Sequence, residues 1–192
     1  MSVTSGFFNS KDGDRRYDAE QMSSIFDGMI NDGVYKSVGE ALLVKQSSGM
    51  NIIVSPGRAW FNHTWTLVDS NETLTVEASD IANDRIDAVV LEVNTTENVR
   101  KNSLKIIKGT PAANPTKPSL TKSGGIYQYA LAYITVGKSV TSITSDKIQI
   151  NTGTAECPFV FGLSASKVIA SQDDITAGST ALASGDLYLV YE

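Results

Sequence analysis

Between residues 34 and 150, apolar residues repeatedly occupy every second position, which is the side-chain period of a β-strand. Residues 73–77 (TLTVE) alternate cleanly between polar and apolar, and residues 127–136 (YQYALAYITV) form the strongest of these runs. Residues 86–93 are almost continuously apolar, which indicates a central strand covered on both faces or one covered by an N-terminal helix. The sequence therefore predicts a mainly β fold, with an antiparallel β-sandwich or barrel-like body.

A helical stripe precedes this β-like region. The sequence predicts one helix over about residues 19–30, with Asp18 as its N-cap and Gln21 completing a capping box. We expect Asn31-Asp32-Gly33 to end the helix, because these residues tolerate positive φ angles. So short a helix is marginally stable in water and needs a partner surface. Its apolar residues follow the i, i+3, i+4, i+7, i+8 spacing of one helical face: Met22, Ile25, Phe26, Met29 and Ile30.

Composition excludes several classes of protein. The chain of 192 residues carries a formal net charge of −5, so its surface repels phosphate backbones and broad nucleic-acid binding is not expected. Cys157 is the only cysteine, so no internal disulfide can form. The first residues lack the pattern of a secretory signal peptide, and no apolar stretch is long enough to span a membrane. We therefore expect a protein made in a cytosol, without membrane insertion.

Changes in pattern along the chain divide it into three regions. Residues 1–33 form the arm with its helix, residues 34–150 form the β body, and residues 151–192 form a C-terminal β extension. The extension is rich in Ser, Ala and Gly, and residues 187–191 (LYLVY) predict its last strand. Within the body, the proline-rich residues 109–120 predict an extended connection rather than a strand.

Motifs that carry chemistry are weak in this sequence. Residues 132–139 (AYITVGKS) match a loose phosphate-loop pattern, but strand-forming residues fill the loop and no helix signal follows it. His63, the only histidine, follows Asn62 in a predicted tight turn, and Cys157 has no neighbouring histidine or CxxC partner. The sequence therefore predicts no catalytic residues and no cofactor.

Acidic pairs are interpreted as solvated groups. Asp12-Gly13-Asp14 resembles the beginning of a calcium loop, but Lys11 stands where an oxygen ligand is needed, so no metal site is predicted. Asp173 and Asp174 are adjacent, and whether a carboxylate pair suited to glycoside hydrolysis exists depends on distances in the folded chain.

Aromatic side chains are the candidate ligand-binding residues, because their faces stack on sugar rings and exposed ones mark binding patches. Strict alternation places Tyr127, Tyr129 and Tyr133 on one face of their strand. Core packing is the favoured interpretation for these tyrosines, Trp60 and Trp65. Trp65 is nearest a predicted turn, and it is the candidate contact for a saccharide.

Several segments, in this order, resemble landmarks of the tail-tip and baseplate proteins of phages and prophages of Gram-positive bacteria. The resemblance covers roughly residues 5–150. The segments are residues 5–35 (SGFFNS…GDRRYDAEQMSSIFDGMINDGVY), 57–62 (GRAWFN), 84–93 (DRIDAVVLEV), 108–120 (KGTPAANPTKPSL) and 127–136 (YQYALAYITV).

This resemblance implies a non-enzymatic structural protein of the virion, located at the tail tip or baseplate and assembled in the bacterial cytoplasm. It implies a homo-oligomer, with a trimer favoured, whose partners are other phage baseplate or tail proteins or the host surface. The arm, with Phe7 and Phe8 ahead of the helix, is the expected docking element, although the helix could instead cover only its own sheet. A saccharide-binding adhesin that contacts the host cell wall is the alternative, and a cell-wall-degrading enzyme is a weaker one.

Overall fold

The computed structural model of the chain describes residues 6, 9–13, 16–160, 168–172 and 187–190. It confirms a mainly β protein with antiparallel sheets and one short α-helix near the N-terminus. The helix, α1, spans Ala19–Ser23, and 3-10 helices span Ser24–Phe26 and Ser145–Lys147. In chain order the described strands are β1 (Gly33–Gly39), β2 (Val44–Gln46), β3 (Asn51–Val54), β4 (Gly57–Phe61), β5 (Thr64–Val68), β6 (Glu72–Thr75), β7 (Arg85–Asn94), β8 (Lys101–Ile107), β9 (Lys122–Ser123), β10 (Ile126–Val136), β11 (Ile148–Ile150), β12 (Val168–Ser171) and β13 (Leu187–Val190).

The strands of the body form three antiparallel sheets. A five-stranded sheet has the order β11-β10-β7-β8, with β9 also pairing with β10. Two three-stranded sheets have the orders β1-β4-β5 and β2-β3-β6. The predicted strand in the last residues is confirmed as β13, which pairs with β12 in parallel.

The main core lies where the five-stranded sheet faces the two smaller sheets, because all three sheets bury apolar side chains in one cluster. Strand β7 is buried on both faces, as its continuous apolar sequence predicts. The second face of the five-stranded sheet carries a smaller cluster around Ala88, Val90 and Tyr133, against which Leu120 packs. Leu120 ends the proline-rich segment, which runs without a regular strand, as predicted. The main cluster draws on each sheet: Val34, Ala59, Phe61 and Val68; Val44, Ile52 and Val54; Val89, Leu91, Val93, Leu131, Ala132, Ile134 and Val136.

Strand β10 contains a β-bulge that the sequence does not reveal. Its pairing with β7 shifts by one residue between Ala130 and Ala132, so Leu131 is the extra residue. Beyond the bulge the order of faces reverses. Tyr129 packs against the main core, whereas Tyr133 lies in the cluster on the second face. The prediction that these tyrosines share a face is therefore wrong for Tyr133.

The arm begins as the sequence predicts. Asp18 Oδ1 accepts a hydrogen bond from the Gln21 backbone at 2.8 Å, and the Asp18 backbone N–H donates to Gln21 Oε1 at 3.1 Å. These two bonds are the expected capping box.

The helix is shorter than predicted: helical structure ends at Phe26 and not at residue 30. The Ser23 and Ser24 hydroxyls donate to backbone carbonyls three residues earlier, at 3.1 and 2.8 Å, and such bonds compete with regular helical pairing. Gly28 then takes a φ of 75°, which turns the chain out of the helix. The end signal is therefore Gly28 and not Asn31-Asp32-Gly33.

The described beginning of the region 151–192 packs against the body. Val34 donates to the Pro158 carbonyl and accepts from the Val160 backbone, both at 2.8 Å, and Cys157 is fully buried. This approach requires glycine at position 33, because a Cβ there would lie 2.7 Å from backbone atoms of residues 158–160.

A buried ion pair fixes the connection between β6 and β7. Arg85 Nε lies 2.9 Å from Asp87 Oδ1, and both side chains are almost completely buried. The guanidinium also donates to the carbonyls of Ala78 (2.8 Å) and Glu77 (2.6 Å), while the Gly109 backbone donates to Asp87 Oδ1 at 2.8 Å. These bonds satisfy charges that would otherwise be costly to bury.

Candidate functional surfaces

Among the described residues, an aromatic contact joins the arm to the outer face of the β1-β4-β5 sheet. The Phe26 ring meets the Trp60 ring edge-on, with centroids 5.5 Å apart and planes at 71°. Asp27 Oδ1 also lies 3.1 Å from His63 Nδ1 in the turn that follows β4. Trp60 pairs with Trp65 across β4 and β5, so these two indoles share the face that the arm approaches. Phe26, one residue of the predicted apolar stripe, therefore packs against the protein's own sheet.

Three other residues of the predicted stripe remain exposed. Met22, Ile25 and Met29 keep about 40% of their accessible area, although they are apolar. On the adjacent strand β5, Trp65 is 63% exposed and Leu67 is 52% exposed. We call these five side chains the arm surface. Grouped apolar exposure of this kind is typical of an interaction site rather than of a free surface.

The other predicted docking residues are Ile30, Phe7 and Phe8. Ile30 is half-buried, like Phe26, and therefore contributes less to the arm surface. Phe7 and Phe8 lie outside the described residues.

A groove of about 530 Å³ runs beside Trp65 and between β5 and the β7–β8 turn. Asn102 Nδ2 donates to the hydroxyls of Thr64 (2.9 Å) and Thr66 (2.8 Å), which ties β5 to β8. The Arg58 guanidinium lies 5.7 Å from the Trp65 ring centroid. The core interpretation is therefore correct for Trp60, which is buried, and wrong for Trp65, which is exposed.

A second groove, of about 620 Å³, lies at the edge of β10. Strands β9 and β11 pair with two separate parts of that edge. Between them, the Gln128 backbone donates to the Thr121 carbonyl at 2.9 Å and the Leu131 carbonyl accepts from the Asn151 backbone at 2.8 Å. The proline-rich segment and residues 155–158 complete the walls. We call this the lysine–tyrosine groove, after its residues Lys117, Lys122, Tyr129 and Tyr133.

The two tyrosines of this groove are held by polar contacts. The Tyr129 ring stacks on Phe61 at 3.8 Å, and its hydroxyl donates to Asn62 Oδ1 at 2.6 Å. Burial, followed by the charge of Asp32, raises the pKa of Tyr129 well above its ordinary value. The Tyr133 hydroxyl donates to Glu156 at 3.1 Å, and burial together with this bond raises the pKa of Tyr133 to about 12. Both phenols therefore stay protonated at neutral pH.

Two ammonium groups cover the tyrosine rings. Lys117 Nζ lies 3.9 Å from the centroid of Tyr133, and Lys122 Nζ lies 3.3 Å from that of Tyr129. Burial lowers the pKa of Lys122. Sequence analysis did not identify this groove, because its lysines and tyrosines meet only through the bulge and the path of the proline-rich segment.

The motifs dismissed from sequence occupy ordinary structural positions. Residues 126–136 are strand β10, and the Lys138 backbone N–H then donates to Asp84 Oδ1 at 2.7 Å in a turn, so no phosphate loop forms. Burial raises the pKa of Cys157 to about 12, which keeps its thiol protonated. Within the described ranges, no group of three His, Cys, Asp or Glu side chains is placed to hold a metal ion. Asp14, Asp173 and Asp174 lie outside the described residues.

None of the helices in the described part of the chain has the length and apolar character needed to cross a bilayer. Comparison of the chain with protein-family models, with curated proteins and with solved structures finds no match.

Proposed function

We propose that this chain is a non-enzymatic structural component of a phage tail tip or baseplate, and that it assembles as a homo-oligomer, with a trimer favoured. The ordered segments that resemble tail-tip and baseplate proteins support the location. The observation that carries the assembly role is the exposure of Met22, Ile25 and Met29 beside Trp65 and Leu67. This role serves attachment to other tail proteins and to the host.

The arm surface suits assembly for an energetic reason. Burying one large apolar side chain stabilises a complex by roughly 1.5–3 kcal/mol before the cost of association is subtracted. Copies arranged around a symmetry axis bury the same surface on every subunit, so each exposed residue counts several times. The contact between Phe26 and Trp60 holds the arm on its own sheet, while Met22, Ile25 and Met29 remain exposed.

Removing the apolar side chains of the arm surface is expected to dissociate the oligomer. The triple variant Met22→Ser, Ile25→Ser, Met29→Ser should shift the mass measured by light scattering toward that of one subunit at micromolar concentration. The fold should persist, because all three side chains are exposed in the single chain and contribute little to its core.

A matched control uses exposed apolar residues elsewhere on the chain. The variant Ile81→Ser, Val99→Ser, Ile150→Ser removes the same number of exposed apolar side chains and should leave the oligomer intact. A wild-type protein that is monomeric at high concentration, or an arm variant of unchanged mass, would contradict the assembly role. Immunogold electron microscopy of purified virions tests the location separately, since label away from the tail end would contradict it.

The second candidate function is direct binding of a cell-wall saccharide. Its support is Trp65, whose indole stays 63% exposed beside a groove lined by threonine and asparagine side chains. In this case Trp65→Ala should weaken retention on purified cell wall by about tenfold, because stacking of a ring on a sugar is lost. Ile81→Ala, which truncates an exposed apolar side chain that does not line this groove, is the control and should bind normally. Equal retention of both variants and wild type would count against an adhesin.

A cell-wall-degrading enzyme is the weaker alternative. It needs two carboxylates that flank a glycosidic bond, and Asp32 and Glu156 do line the lysine–tyrosine groove. Asp32 Oδ1 accepts from the Asn62 backbone at 3.1 Å and Glu156 accepts from Tyr133, so both already serve as hydrogen-bond acceptors for the protein. Release of soluble sugar from purified cell wall would favour the enzyme over the structural role.

A further inference from the structure

The lysine–tyrosine groove contains two lysines that form no close ion pair with the described residues. Among the described residues, neither Lys117 Nζ nor Lys122 Nζ has a carboxylate oxygen within the 4.0 Å of an ion pair. Their contacts are with the faces of Tyr133 and Tyr129. An aromatic face attracts the ammonium charge but supplies no oxygen acceptor, and each ammonium carries three N–H donors. Both lysines are exposed, so these donors are accessible to the oxygen atoms of a ligand.

The two carboxylates of the groove, in contrast, already accept hydrogen bonds from the protein. Glu156 receives the Tyr133 hydroxyl, and Asp32 receives the Asn62 backbone N–H. Each carboxylate has further lone pairs, and Glu156 is exposed, so both could accept additional bonds from the hydroxyl groups of a ligand. With two ammonium groups and two carboxylates, the lining is neutral overall. Recognition of a ligand therefore depends on the arrangement of hydrogen-bond donors and acceptors and not on a strong electrostatic field.

Two prolines restrict the backbone around the groove, which reduces the entropy lost when a ligand binds. Pro118 limits the conformations of Lys117, which precedes it, and Pro158 is also a lining residue. Lys122 pairs with Tyr127 across β9 and β10, so its backbone is anchored in the sheet.

We propose that the lysine–tyrosine groove binds a hydroxylated organic anion, that is, a sugar bearing a carboxylate or a phosphate. The anionic group accepts charge-assisted hydrogen bonds from Lys117 and Lys122. Ligand hydroxyls donate to Glu156 and Asp32, and the ring carbons lie against the apolar side chains of Leu120 and Ala130. The site is separate from the arm surface and does not depend on the proposed assembly.

Titration of the ¹⁵N-labelled protein with glucuronate, glucose 6-phosphate and glucose tests the site and the nature of its anionic group. We expect glucuronate or glucose 6-phosphate to shift the backbone amide signals of Lys122, Ala130 and Glu156. Glucose, which has the hydroxyls without the anion, should bind at least about tenfold more weakly, because hydrogen bonds to charged groups are the stronger ones. Binding of only one of the two anions would identify the group that the site accepts.

The double variant Lys117→Gln, Lys122→Gln should weaken binding of the anion by about tenfold or more, since it removes both ammonium groups. The control Lys45→Gln, Lys147→Gln changes the net charge equally at lysines that do not line the groove, and it should bind as wild type does. The proposal is overturned if neither anion shifts these amides, if glucose binds as tightly as the anions, or if the two double variants lose affinity equally.

Discussion

Replacing Arg85 by methionine is expected to lower the free energy of unfolding by about 3–5 kcal/mol, because it leaves the Asp87 carboxylate buried without its counter-charge. Asp87 is fully buried, and its other polar contact among the described residues is the Gly109 backbone N–H, which donates to Oδ1 at 2.8 Å. The substitution also removes the donors that hold the carbonyls of Glu77 and Ala78. The segment before β7 should therefore loosen together with the core.

Urea unfolding followed by circular dichroism measures this loss as a lower transition midpoint. The matched control is Lys147→Met, because Lys147 pairs with Asp146 at 3.5 Å on the surface. A surface pair of this kind contributes at most about 1 kcal/mol, so the control should unfold close to wild type. The double variant Arg85→Met, Asp87→Leu should recover much of the loss, since no isolated charge then remains buried. A loss below about 1 kcal/mol in Arg85→Met would show that the pair is not essential.

Replacing Phe61 by alanine is expected to cost about 3–5 kcal/mol of stability. Phe61 is almost completely buried in the main core, and its ring stacks on Tyr129 at 3.8 Å with planes only 19° apart. The truncation removes a contact between β4 and β10, which belong to different sheets, and it leaves a cavity between them.

Thermal unfolding of Phe61→Ala and Phe61→Leu separates the effect of lost volume from that of lost aromaticity. Leucine keeps most of the apolar volume, so Phe61→Leu should lose less than about 1.5 kcal/mol. Equal losses in the two variants would mean that the cavity is not the cause. Because Tyr129 lines the lysine–tyrosine groove, Phe61→Ala should also weaken any anion bound there.

Local signals in the sequence were sufficient for several features of the fold. Asp18 and Gln21 specify the capping box through residues three positions apart. Asn62 and His63 both adopt positive φ angles, 48° and 59°, in the predicted tight turn between β4 and β5. The nearly continuous apolar run of residues 86–93 indicated a central strand covered on both faces or one covered by the arm helix, and β7 is buried on both faces.

Other features escaped prediction, because they depend on side-chain hydrogen bonds, strand pairing or burial, which periodicity does not show. The apolar stripe of the arm indicated a longer helix, because periodicity does not register serine hydroxyls bonding to carbonyls or the turn at Gly28. The bulge at Leu131 arises from the pairing of β10 with β7, and it moves Tyr133 to the opposite face. The ion pair between Arg85 and Asp87 was not recognised either, since burial of a charge is not visible in a strand pattern.

Local sequence patterns specify the mainly β class, the position of most strands and the beginning of the arm, because side-chain alternation and capping act over a few neighbouring residues. Which part of the apolar stripe stays exposed, and which lysines meet which tyrosines, is set only when the chain folds. Those outcomes depend on strand register and on the path of a connection across the sheet. A shift of one residue in register changes the face of every side chain that follows.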